Sequence, residues 1–169
     1  MRQIFFAVFA IVSGLAVSSA TMAQSLPAPK SAPILVISGD ITNTNVAGTA
    51  QFDLPMLEAL GMDKMSTKTP WYEGVVTFEG VPMDKLMKIV GAKGKSVRAV
   101  ALNDYAINIP ISDFAQYGTM LAIKRDGQYM PVRDKGPLFI VYPFDSNSEL
   151  QTQTYYGRSA WQLAKLVVE

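Results

Sequence analysis

TPWYEGVVTFEGVPMDKLM, Thr69 to Met87, puts a Trp-Tyr pair, an alternating apolar run, a Gly-Val-Pro corner and a helix start into one short stretch. Gly74 to Phe78 reads as extended chain, and so does Thr67 to Thr69 on the other side of Trp71-Tyr72. Pro82 opens a helix: Met83, Leu86, Met87 and Val90 fall at i, i+3, i+4 and i+7, Lys85 and Lys88 point away, and Gly91 stops it. The question is what so economical a scaffold holds.

Outward from this stretch the chain is strand-rich. Residues 34–38 (ILVIS) form a β-branched apolar run closed by Gly39-Asp40 and read as a buried strand, followed by loop over TNTNVAGTA. Asp53 caps a short helix with Leu54 and Pro55 in its first turn and Gly61 past its end. Strands are expected at Val97 to Leu102, Ala106 to Ile109, Met120 to Lys124, Gln128 to Val132 and Leu138 to Tyr142, with Arg125-Asp126-Gly127 as a hairpin turn. Trp161 to Val168 closes the chain as an extended, partly buried segment. Many short strands with two or three short helices predict a single α+β domain on a mixed, mainly β core.

The N-terminus carries Arg2, an apolar run and then small residues, the layout of a signal peptide over residues 1–23 with the cut after Ala23. The apolar run is shorter than the roughly 20 residues that span a bilayer. Residues 24–33 read as a Pro/Ser/Ala linker and residues 34–169 as the folded domain. The chain's 15 Lys and Arg lose Arg2 with the leader and then equal its 14 Asp and Glu, which removes any electrostatic case for nucleic acid.

The chain has no Cys and no His. Thiolate chemistry, a lipid anchor on Cys and the usual ligands of zinc, copper, haem and iron–sulfur centres are therefore excluded, as are His-dependent triads. No Gly-rich phosphate loop, HExxH or GxSxG motif is present. Polar and aromatic residues instead gather at strand ends: Trp71-Tyr72, Asn103-Asp104-Tyr105, residues 133–137 (RDKGP) and residues 155–159 (YYGRS).

The order W-x-x-G-V-x-x-F-x-G-V-P, N-D-Y, D-G, K-G-P-L-F-I-V-Y-P and R-S-x-W-Q-L resembles the oxidoreductase molybdopterin-binding domain, the sulfite-oxidase fold, from Trp71 to Val168. Enzymes of that family hold molybdenum through a pterin dithiolene and one Cys thiolate, expected before the Trp. Here that stretch reads MSTKTPW, so the resemblance implies a pterin ligand without molybdenum. It is nearer to short periplasmic pterin-binding regulators, whose partners include membrane enzymes of cyclic-di-GMP turnover. A molybdopterin oxidoreductase and a ligand-free interaction module are the alternative readings.

A pterin offers adjacent N–H donors on its 2-amino-4-oxo edge and flat faces that want aromatic cover. Asp104 in the Asn103-Asp104-Tyr105 triplet is the candidate acceptor, with a plain Asn-Asp turn as the competing reading. Phe139, Trp71, Tyr105 and Trp161 are stacking faces or else core. Arg133 and Arg158 are candidates for a ligand carbonyl or carboxylate, with Lys135 at the rim, or else solvated loop charges.

Overall fold

The computed structural model describes residues 26–169, so the expected leader lies outside the described residues. Ten strands form two five-stranded sheets. The first sheet runs β2 (Ala50–Phe52), β1 (Leu35–Gly39), β10 (Leu163–Val168), β5 (Ser96–Ala101), β6 (Ala106–Pro110). The second runs β3 (Asp63–Thr69), β4 (Tyr72–Pro82), β7 (Met120–Arg125), β8 (Gln128–Tyr129), with β9 (Phe139–Val141) also paired to β7. Among the described residues only β1 and β10 pair in parallel, with Val36 opposite Lys165 and Gly39 opposite Val168. Four short helices complete the α+β, mainly β domain: α1 (Leu54–Ala59), α2 (Met83–Val90), α3 (Ser112–Tyr117) and α4 (Gln153–Arg158).

The elements follow from their residues. Leu35 and Ile37 of β1, and Val97 and Ala99 of β5, alternate into the core with polar or half-buried neighbours between them. All four apolar positions of the α2 stripe are buried, Lys88 bonds Asp84 at 2.8 Å one turn back, and Gly91 ends the helix at φ 62°. Pro82 sits one position earlier than expected, as the N-cap. The glycine of F-x-G-V-P has a steric reason: a Cβ on Gly80 would strike the Leu121 carbonyl of the neighbouring strand. Asp126 (φ 49°) and Gly127 (φ 78°) make the two left-handed residues of the expected β7–β8 hairpin turn.

Several segments differ from expectation, among them the strand Ala50–Phe52, where the sequence reads as loop up to Ala50, and Asp63–Thr69, longer than the expected Thr67 to Thr69. The strand expected to reach Val132 stops at Tyr129, because Pro131 has no N–H for the ladder and the chain turns into a 3-10 segment at Val132–Asp134. The last strand begins at Leu163 rather than Trp161. Helices α3 and α4 were not foreseen; each is six residues long and buries too few positions to show a helical stripe.

Residues 26–33 take no regular structure, yet they are fastened. Leu26 N–H donates to the Thr44 carbonyl and Asn45 Nδ2 to the Pro27 carbonyl. The Asp53 carboxylate, 1% exposed, accepts from Lys30 N–H, Ser31 N–H and Ser31 Oγ as well as capping α1 through Met56 N–H. Burial opposes its charge, but the Met56, Ser31 and Lys30 N–H groups outweigh it and hold the carboxyl below its ordinary 3.8. A depressed folded-state pKa contributes stability that is present above the unfolded value and lost as pH falls through the folded one. Urea unfolding of wild type and Asp53→Asn should therefore show wild type the more stable at about pH 7 and the gap closing toward about pH 3; a gap independent of pH would refute the role of the charge.

Candidate functional site

Trp71 organises the site. It lies in the tight β3–β4 connection, where Thr69 Oγ1 accepts from the N–H groups of Trp71 and Tyr72 at 3.3 and 3.2 Å. Its indole meets Phe139, Phe144, Tyr156 and Trp161 edge to face, with centroids 5.4, 5.8, 6.1 and 5.6 Å away. β9 is bridged to the segment before β10 by the Phe139–Trp161 pairing and by Ile140 N–H donating to the Ala160 carbonyl, so the two sheets meet beside this cluster.

A cleft of about 270 Å³ opens there. On one side the β5–β6 turn presents Asn103 and Tyr105, with Ala101 behind them. On the other, α4 and the segment between it and β10 present Tyr156, Gly157, Ser159 and Trp161. Tyr105 is 49% and Trp161 38% exposed, so both rings offer surface to a ligand. Asn103 Oδ1 accepts from Tyr105 N–H at 3.2 Å and fixes the turn, while Leu102 N–H donates to the Gln162 carbonyl and ties the two walls together. Among the described residues, no charged side chain lines this cleft.

A second hollow of about 310 Å³ lies on the other side of Tyr156, which lines both. Lys68, Thr69 and Pro70, from the stretch in which the resemblance places a thiolate, form part of its wall with Asp145. Hydrogen bonds already close its floor: Lys68 N–H donates to Asp145 Oδ2 at 2.8 Å, and Asp145 N–H to the buried Thr67 Oγ1 at 3.2 Å.

The structure separates the candidate residues. Asn103, Tyr105 and Trp161 line the cleft. Asp104 does not: it is exposed, sits at φ 63° and donates its N–H to the Ala101 carbonyl, the turn role. Phe139 is fully buried, with Phe78 at 5.9 Å as well as Trp71, and is core rather than a stacking face. Trp71 is half-buried and supports the cleft from behind. Arg158 falls between two cleft residues, yet its Nη1 lies 2.8 Å from Asp113 Oδ2, a buried carboxylate that also accepts from Tyr142 Oη at 2.9 Å. That buried charge needs a counter-ion, so Arg158 is not free for a ligand carboxylate. Arg133 is exposed on the 3-10 segment and borders a different hollow beside Arg125 and Tyr129.

A polar clip went unforeseen. Tyr72 Oη donates to Asp134 Oδ1 at 2.9 Å, Arg125 Nη1 donates to Asp134 Oδ2 at 2.8 Å, and the Arg125 guanidinium lies 4.2 Å over the Tyr72 ring. Burial first, and the Asp134 carboxylate second, push the Tyr72 phenol up to about 12. Lys135 follows, its Nζ 5.3 Å from the Tyr72 ring centre and 5.0 Å from that of Trp161. Sequence alone gave no sign of the clip, because Arg125 and Asp134 meet only when the β7–β8 hairpin folds back.

The oxidoreductase molybdopterin binding domain model matches residues 56–145, over half of the chain. The chain belongs to that family and has its sulfite-oxidase-like fold. Among solved structures it is similar to the sulfane dehydrogenase SoxCD from Paracoccus pantotrophus, with a TM-score of 0.58 and 17% identity, over 79% of this chain and 37% of that one. This chain thus spans little more than a third of SoxCD, and the likeness is one of fold. No curated protein matches it by sequence. The family match takes in the β5–β6 turn but ends before α4, so one wall of the cleft lies beyond it.

The residues present do not fit the metal end of the family's cofactor. The chain supplies no thiolate, and among the described residues no three His, Cys, Asp or Glu side chains are grouped to hold a metal. The cleft's aromatic surfaces and neutral polar groups suit a flat heterocycle instead. The buried position of Phe139 gives a direct check on core against site: Phe139→Ala should cost about 3–5 kcal/mol in urea unfolding, and Tyr105→Ala under about 1 kcal/mol. Comparable losses at the two positions would overturn this division.

Proposed function

We propose that this protein binds a pterin in the cleft between the β5–β6 turn and α4, and reports its occupancy to a membrane enzyme from the periplasm without catalysing a redox reaction itself. The observation that carries the reading is the cleft's lining: exposed tyrosine and tryptophan rings beside a carboxamide, in a fold whose family binds molybdopterin and a chain without the thiolate that family's enzymes use. The Asn103 carboxamide has both donors and an acceptor, the complement of a 2-amino-4-oxo edge that itself mixes donors and acceptors. The Tyr105 and Trp161 rings cover the faces.

The leader-like residues 1–23 support export. The exposed Tyr105 and Trp161 rings give the cleft an apolar rim that a partner reads together with the ligand beneath it. An enzyme of cyclic-di-GMP turnover is the partner class that the resemblance to periplasmic pterin-binding regulators supports. The second reading is a molybdopterin oxidoreductase, suggested by the family's description.

Titration calorimetry with reduced and oxidised pterins, joined to elemental mass spectrometry of protein purified from periplasm, tests both. Asn103→Ala and Trp161→Ala should each weaken pterin binding by about tenfold or more, near 1.4 kcal/mol, with thermal melts little changed. Asp104→Asn should leave affinity as it is. Absence of binding by wild type would end the pterin reading, and stoichiometric molybdenum with a metal-dependent redox activity would establish the second.

A further inference from the structure

We infer that the cleft selects an uncharged ring ligand without a phosphate or carboxylate tail, and that Gly157 is kept free of a side chain to admit it. This rests on the pterin reading and specifies the class of pterin.

Arg158, Lys135 and Arg125 are each engaged by other groups. Arg158 follows Gly157 directly, yet its guanidinium is held at 2.8 Å by Asp113, which is 5% exposed, and lies 5.2 Å from the Tyr155 ring centre. Lys135 spends its ammonium between the Tyr72 and Trp161 rings, and Arg125 spends its guanidinium on Asp134. The polar side chains lining the cleft are neutral: the Asn103 carboxamide and the hydroxyls of Tyr156, of Tyr105, which donates to the Gly157 carbonyl at 3.5 Å, and of Ser159, which donates to the Tyr155 carbonyl at 2.9 Å. An anionic tail drawn into such a wall would give up its hydration without gaining a counter-charge.

Gly157 supplies the second observation. It lies in the last turn of α4, its φ is not in the left-handed region, and a Cβ built on it meets nothing within 4 Å. Nothing in the fold requires glycine there, and within a helix glycine is less favourable than alanine. The space a side chain would take is the cleft itself, which Gly157 lines. A residue that weakens its helix while leaving room in a binding cleft is accounted for by the ligand.

The test uses the full chain, calorimetry and a matched pair of probes, 6-hydroxymethylpterin and its phosphate ester. Wild type should bind the ester at least about tenfold more weakly. Gly157→Ala should raise the melting temperature and weaken both probes. Gly157→Lys takes the same space and adds an ammonium, so it should weaken the neutral probe more than the ester and narrow or reverse the preference between them. Should Gly157→Lys fail to fold, Asn103→Lys in the exposed turn tests the same reversal. Equal or tighter binding of the ester by wild type overturns the selectivity while leaving the pterin reading in place, whereas failure of both probes ends the two together. Unchanged affinity of Gly157→Ala for both probes overturns the role of Gly157.

Discussion

Everything around the cleft depends on the edge-to-face packing of Trp71. One indole, carried on the β3–β4 connection, touches a ring from β9, a ring from the loop after it, a ring from α4 and the tryptophan that leads into β10. Each such pair contributes about 0.5–1.5 kcal/mol beyond the area it buries. The larger effect is geometric: the contacts set where one sheet's hairpin stands relative to the strand at the centre of the other. Because Thr69 Oγ1 fixes the backbone on both sides of the indole, the hub is held as well as packed.

The neighbouring Tyr72 performs a different task from the same turn. Its ring lies under Arg125 and its hydroxyl reaches Asp134, so the loop after β8 is clamped from the β4 side. That loop in turn holds the cleft wall, through Lys135 over Trp161 and through Gln162, whose N–H donates to the Lys135 carbonyl and whose Nε2 donates to that of Val132. The Trp-Tyr pair thus sends one apolar and one polar line of support to the same place. The wall is held by contacts that lie outside the cleft.

The sequence showed those features that local chemistry writes. The α2 stripe, the Asp53 cap and the Asp126-Gly127 turn depend on residues within one or two turns of one another, and each stands where it was read. Strand ends were legible only where a breaker is adjacent, and Pro131 was passed over although its missing N–H ends β8. Asn103, Tyr105 and Trp161 line the cleft, and their types at strand ends make them conspicuous in the sequence. Phe139 and Arg158 look equally available in a sequence, and only the fold buries one and gives the other a buried carboxylate. The informative absence, a glycine in a helix that has no steric need of one, becomes visible only when α4 and its surroundings are known.

The position of β10 bears on how the domain is made. The last strand in the sequence is the middle strand of its sheet, flanked by β1 in parallel and β5 in antiparallel pairing, and Glu169 just beyond it accepts from the N–H groups of Lys95 and Ser96. A nascent chain that still lacks residues 163–168 has two half-sheets with open edges and no way to join them. Sheet closure therefore needs β1 and β10, which stand far apart in sequence, to meet, and such long-range pairing makes folding slow.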